Sequence, residues 1–262
     1  MNRPAPGTGL PSDPSRNRAG IPENAGIPGP DRTVSVVTIG QAPRVDVTPE
    51  LAAIFGPGVR LIEHGALDPL DAEQIAALEP GPDAEGVLTS RLRDGGSAVF
   101  THAGIEPLLA AAIARGEAGG ADATLVICAS HFPAFPHVRP VFYLEPLAHS
   151  GLRGLLSGFD DPGLGVVSPL PEQCASAVER WTAVAGARVT ATAAASPYTG
   201  TIADTAAAAA SLAPDCDLIV LDCVGYGAEA ATAARAACAA SGHDVPVVTV
   251  RSLGARLLSA LL

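Results

Sequence analysis

DLIVLDCVGYGAEAATAARAACAASGHDVPVVTV, residues 217–250, reads as a strand, a helix and a second strand. DLIVLDC (217–223) is a nearly continuous apolar run followed by small residues. AEAATAARAACAAS (228–241) is an alanine-rich helix, and VPVVTV (245–250) is again short, β-branched and apolar. Strands without polar alternation have both faces covered, which marks a parallel sheet with helices above and below it.

The alternation continues outward in both directions. Upstream lie strands VSVVTI (34–39), VRLIEHG (59–65) and ATLVIC (123–128), then GVVSP (165–169) and ARVTATA (187–193). Helices fall between them: TPELAAIFG from Thr48 as N-cap, DAEQIAAL (71–78), IEPLLAAAIARGEAG (105–119), PEQCASAVERWTAVAG (171–186) and TIADTAAAAASLA (201–213). LTSRLRDGGSAVFTHAG (88–104) reads as two extended segments around a DGG turn, and SLGARLLSALL (252–262) as a closing helix. About two sets of four strands result. The fold class expected is α/β, with two similar lobes, each a parallel sheet flanked by helices, and a cleft between them. The lobes are read as 33–143 and 144–244, joined by the connector RPVFYLEPLAHSGLRG, with 245–262 free to return to either. Residues 1–32, dense in Pro, Gly and Ser, read as a disordered leader.

Charge and cysteine usage narrow the function. A net charge of −11 argues against a nucleic-acid or anionic-membrane surface, and no apolar run reaches the roughly 20 residues of a membrane span. Five scattered cysteines are no disulfide framework; with no export signal they read as reduced thiols in the cytoplasm. No glycine-rich phosphate or dinucleotide motif is present.

Ligands of open parallel sheets bind beyond the carboxyl ends of the strands. Two such loops open with a cysteine, in GADATLVICAS and APDCDLIVLDCVG, at Cys128 and Cys223. A lone strand-end cysteine is ordinarily a small buried hydrophobe; a matching pair points to chemistry. Helix N-terminal amides next to such thiols are expected to lower their pKa. Cys174, Cys216 and Cys238 read as packing.

TIGQAPRVDVTPEL (38–51), HGALDPLDAEQI (64–75), LTSRLRDG (88–95), LVICASHFPAF (125–135), GVVSPLPEQ (165–173), SPYTG (196–200), LDCVGYG (221–227) and VRSLGARLLSALL (250–262) resemble the AroM family, within the aspartate/glutamate racemase superfamily. That resemblance implies a cofactor-independent racemase or epimerase. One thiolate removes the proton α to a carboxylate, and the opposing thiol returns a proton to the other face. Cys128 and Cys223 fall on the two catalytic positions. The amino-acid racemases follow their cysteines with Asn-Thr and Thr-His; here Ala129–Ser130 and Val224–Gly225 follow. A cis-trans isomerase or decarboxylase of a small acid therefore stays open, as does a non-catalytic binding or sensing protein. The superfamily also implies a homodimer.

With those side chains absent, other groups must hold the carboxylate of a small-molecule substrate. The candidates are Gln41 and Arg44 after the first strand, Ser130, the loop residues Ser196, Tyr198 and Thr199, and Tyr226. Arginine is the natural bidentate carboxylate clamp. Cys128-x2-His131 is half of a zinc pattern without a second arm, so no metal is expected.

Overall fold

The computed structural model describes residues 32–262. The leader lies outside the described residues, except that Arg32 already opens the first strand. Strand β1 (Arg32–Thr38) is followed by helix α1 (Thr48–Phe55) and β2 (Val59–Gly65). Short α2 (Ala72–Ala76) precedes the antiparallel hairpin of β3 (Val87–Arg91) and β4 (Ser97–Thr101). The chain continues through α3 (His102–Ala118), β5 (Ala123–Val126), β6 (Val141–Tyr143) and α4 (Leu144–Leu156). Then come β7 (Gly163–Ser168), α5 (Gln173–Ala185), β8 (Arg188–Ala194), α6 (Ile202–Leu212), β9 (Leu218–Leu221), α7 (Ala228–Ala240), β10 (Val247–Thr249) and α8 (Val250–Ser259).

Two four-stranded sheets form, in the orders β2-β1-β5-β6 and β10-β9-β7-β8. Every pairing in both is parallel. Numbered within its own sheet, each runs 2-1-3-4, so one topology occurs twice. The chain reverses direction across the sheet between the first and third strands, β1/β5 and β7/β9. Loops separate there, leaving a crevice at the carboxyl ends. The third strands, β5 and β9, are buried at every residue, as are β1 after Arg32 and β7 throughout. This agrees with their apolar sequences.

The region 140–160, read from sequence as a connector, instead forms β6 and α4. Val141 to Tyr143 are half-buried at a sheet edge, with too few branched residues for the pattern to stand out. Helix α4 buries Leu144, Ala148, Leu152 and Leu156, a 4-4-4 spacing broken in sequence by Pro146 and Gly151. Its main partner is α8. Strand β10 pairs with β9, while Ala255 and Leu258 of α8 pack with Val34, Val36 and Leu51 beneath the first sheet. The chain's end therefore serves both sheets. Thr48 is the first helical residue of α1 rather than its cap; Val47 precedes it without a side-chain cap bond. Asp71 and Thr201 do cap, each in a reciprocal capping box, with Gln74 and Asp204 respectively.

Three distinctive sequence segments meet as a brace. Asp68 accepts from the backbone N–H groups of Gly65 (2.6 Å) and Ala42 (2.8 Å), and pairs with Arg93 at 3.0 Å. Arg93 also donates to the Ala42 carbonyl at 2.7 Å, and its own N–H donates to Gln41 Oε1 at 3.0 Å. A side chain at Gly65 would stand 2.6 Å from both Asp68 Oδ1 and the Gly40 carbonyl, so only glycine lets these loops close. The brace holds the hairpin beside the first sheet, where β3 walls the cavity described next.

Candidate active site

Both crevices open into one cavity of about 250 Å³. Ile39, Ile127 and Cys128 line it from the first sheet, and Pro169, Asp222 and Cys223 from the second. Gly86 to Ser90 and His102 close one side, and Gln173, Ser176 and Arg180 of α5 another. Duplicated topology thus brings two thiols, each just past a third strand, to one space. Each is 8 % exposed.

Their surroundings differ. Cys223 Sγ lies 3.5 Å from Tyr198 OH and accepts from the Gly225 N–H at 3.4 Å. Cys128 is stabilised as thiolate by the Ser130 N–H and hydroxyl, and by the charge of Arg180. Arg44 acts likewise on Cys223. Burial outweighs these effects: the Cys128 thiol is pushed up to about 11, with the nearby Cys223 adding to the rise. The Cys223 thiol is also raised, again chiefly by burial. The expected lowering by helix amides does not occur. Cys128 is followed not by a helix but by a loop running to β6, and Cys223 stands four residues before Gly227, the cap of α7.

A pH dependence follows. The resting pair is protonated at neutral pH, and a reaction that needs one thiolate draws on a small ionised fraction. Below the first macroscopic pKa of the pair, kcat/KM should rise about tenfold per pH unit. The pH-rate profile between 7 and 9 is the measurement, and a flat profile contradicts a thiolate base. Stability should move the opposite way. The folded chain holds the Cys128 proton up to about 11, above the ordinary thiol value, so this stability contribution is lost as pH rises through that range.

Of the other residues singled out from sequence, Ser130 and Tyr198 line the cavity. Arg44 does not: it is 1 % exposed, its guanidinium paired with Asp46 at 2.7 and 2.8 Å and with Thr38 Oγ1 at 3.0 Å. It stands behind Tyr198, with Cζ 6.0 Å from the ring centroid. Burial makes an unpaired guanidinium too costly to hold in reserve, so Asp46, two residues on, claims it. Gln41 belongs to the brace. Ser196 Oγ accepts from the backbone of Tyr198 and Thr199 at 3.3 and 3.2 Å, shaping their turn, and neither Ser196 nor Thr199 lines the cavity. Tyr226 is buried with its hydroxyl on the Ala195 carbonyl, so it fixes the loop.

Gly225 sets the Tyr198–Cys223 contact. A β-carbon there would meet Pro197 Cγ at 2.6 Å and Tyr198 Cε1 at 2.8 Å. Gly225→Ala should displace the tyrosine, cost about 1–3 kcal/mol of stability and lower turnover roughly tenfold or more. Urea unfolding and steady-state kinetics on one preparation would check both.

Sequence reasoning missed Arg180. It donates to Asp222 Oδ2, whose side chain is 1 % exposed, while Arg180 itself stays 24 % exposed beside the cavity. Burial raises the Asp222 pKa, and Arg180 and Trp181 oppose the rise. Gln173, Ser176 and Arg180 are spaced three and four apart, a polar stripe on one face of an otherwise alanine-rich helix. That stripe was the available sign; in sequence it reads as a solvated face. Glu145, on the unforeseen α4, lies 3.4 Å from His131 and 3.5 Å from His149. It tethers the loop after Cys128. Burial lowers the His149 pKa to about 4, so that imidazole is neutral.

The family description "AroM protein" matches residues 34–262. The chain belongs to the AroM family. Three solved structures share the fold of this AroM chain. The Nocardia farcinica maleate cis-trans isomerase bound to Tris has a TM-score of 0.55 at 17 % identity, covering 88 % of this chain and 93 % of that one. An unliganded arylmalonate decarboxylase has 0.53 at 14 %, covering 88 % and 92 %. The Picrophilus torridus aspartate racemase has 0.51 at 14 %, covering 87 % and 94 %. At this identity the likeness of the AroM chain to all three is one of fold. No curated protein matches its sequence. Among its described residues no helix is long and apolar enough to cross a membrane.

Proposed function

We propose that this protein is a cofactor-independent racemase or epimerase acting at a carbon α to a carboxylate, with Cys128 and Cys223 as its two proton carriers. The observation that carries this reading is the pair of thiols at equivalent strand ends of two like sheets, lining one cavity. The thiolate of one cysteine takes the α proton, and the C–H electron pair moves into an enediolate. The other thiol delivers its proton to the opposite face. Thiol and thiolate have then exchanged places, and proton exchange with solvent restores the starting form. Arg180 would offset the enediolate charge, and Tyr198 would hydrogen-bond Cys223 as a thiolate. The sequence contains no lysine, so no side-chain amine can form an imine with a carbonyl cofactor.

Solvent-deuterium exchange tests this. Enantiopure carboxylic acids incubated in D2O should gain α deuterium while losing optical purity. Absence of exchange across a broad panel would sink the reading.

The unequal surroundings of the two thiols support a second reading, in which one cysteine does the chemistry. Cis-trans isomerisation by thiol addition to an alkene, or decarboxylation followed by protonation from one thiol, would need only that. Both reactions occur among the names of the fold neighbours.

A further inference from the structure

The basic side chains on the cavity wall already have acidic partners. Arg180 is held by Asp222, His131 lies 3.4 Å from Glu145, and His102 lies 3.4 Å from Glu106. Among the described residues lining the cavity there is no other arginine or histidine. Arg44, behind Tyr198, is committed to Asp46. An entering carboxylate would therefore share Arg180 with Asp222. A second carboxylate would find no further arginine among the described lining residues, in a space where burial already penalises the ionised Cys128, Cys223 and Asp222. Much of the remaining wall is uncharged and apolar: Ile39, Val87, Leu88, Ile127 and Val224. At about 250 Å³ the cavity lies just below the usual range of small-molecule pockets, which suits a small acid.

We propose that the substrate is a small acid carrying one negative charge, its carboxylate on Arg180 and an uncharged, largely apolar remainder on the β3 side, and that dicarboxylates are disfavoured. Arg180 is then the residue that sets specificity, with Gln173 on the same helix face to donate to the second carboxylate oxygen. This rests on the proton-transfer reading for its reaction, but not for its binding.

The experiment compares acids that differ by one carboxylate. 2-Phenylbutanoate and 2-methylbutanoate are set against phenylmalonate and ethylmalonate, using calorimetric binding at pH 7 and α-deuterium exchange in D2O. The expected result is at least tenfold tighter binding of both monocarboxylates. The double variant Arg180→Gln/Asp222→Asn removes both charges without stranding either. Folded by circular dichroism, it should bind the monocarboxylates at least tenfold more weakly. Equal or tighter binding of the malonates overturns the proposal, as does failure of all four acids to bind, or a folded double variant that binds like wild type. If the double variant does not fold, the wild-type preference still decides. Arg180-dependent binding of monocarboxylates without exchange supports this proposal and counts against the racemase reading. Exchange confined to the malonates does the reverse.

Discussion

Cys128→Ser and Cys223→Ser should each lower racemisation by roughly 10²–10⁴-fold, the range of a single acid–base group. A serine hydroxyl preserves size and hydrogen bonding but neither gives nor takes a proton readily near neutral pH. Both changes therefore isolate proton transfer from packing, and thermal unfolding should barely move. The two-thiol reading makes a sharper demand. With one thiol left, that face of the substrate can still exchange its α proton with solvent. Delivery to the opposite face is lost, so deuterium enters without inversion. Each variant should do this with the opposite enantiomer. If instead one variant keeps near wild-type turnover, the reaction is a one-thiol chemistry, and the unequal partners of Cys128 and Cys223 become its explanation.

Arg251→Met should cost about 3–5 kcal/mol, the range for stripping one partner from a buried charged cluster. Arg251, at the start of α8, is 2 % exposed. Its Nε donates to the Val224 carbonyl at 2.8 Å, and its Nη1 donates to the Asp46 carbonyl at 2.9 Å and to Glu50 Oε2 at 3.0 Å. Methionine fills the volume but leaves two carbonyls and a carboxylate without that donor. Because Val224 follows Cys223 directly, the loss should also reach the site. Arg251→Lys keeps the charge without the planar fork. It should recover less than half of the lost stability and, while folded, show lowered kcat. Urea unfolding, with kinetics measured without denaturant, would check this, and a shift below about 1 kcal/mol for Arg251→Met would contradict the role assigned.

How far the sequence reaches depends on how local the deciding physics is. Strands such as 123–128 and 217–223 are legible because a strand covered on both faces must be apolar throughout, whatever covers it. The duplicated strand-to-cysteine pattern is legible for a similar reason: equivalent positions in two like sheets carry like sequences. Helix α4 was not legible, since its apolar spacing serves α8, more than a hundred residues away, and is interrupted by Pro146 and Gly151. Among the anion-holding candidates, residue type misled. Arg44 has the right chemistry at the right strand end, and Asp46 takes it out of play. Arg180 sits in mid-helix and looks solvated, but the turn of α5 directs it to the cavity.

By itself, the sequence determined the class of fold, its approximate strand count, and the strand-end position of the two cysteines, because periodicity, β-branching and strand-end position are properties of short segments. Only the tertiary structure decided which cation remains beside the thiols, how burial raises both of their pKa values, and how the hairpin closes the cavity. Those outcomes depend on what surrounds each charge and excludes water from it, and those neighbours come from segments far apart in the chain.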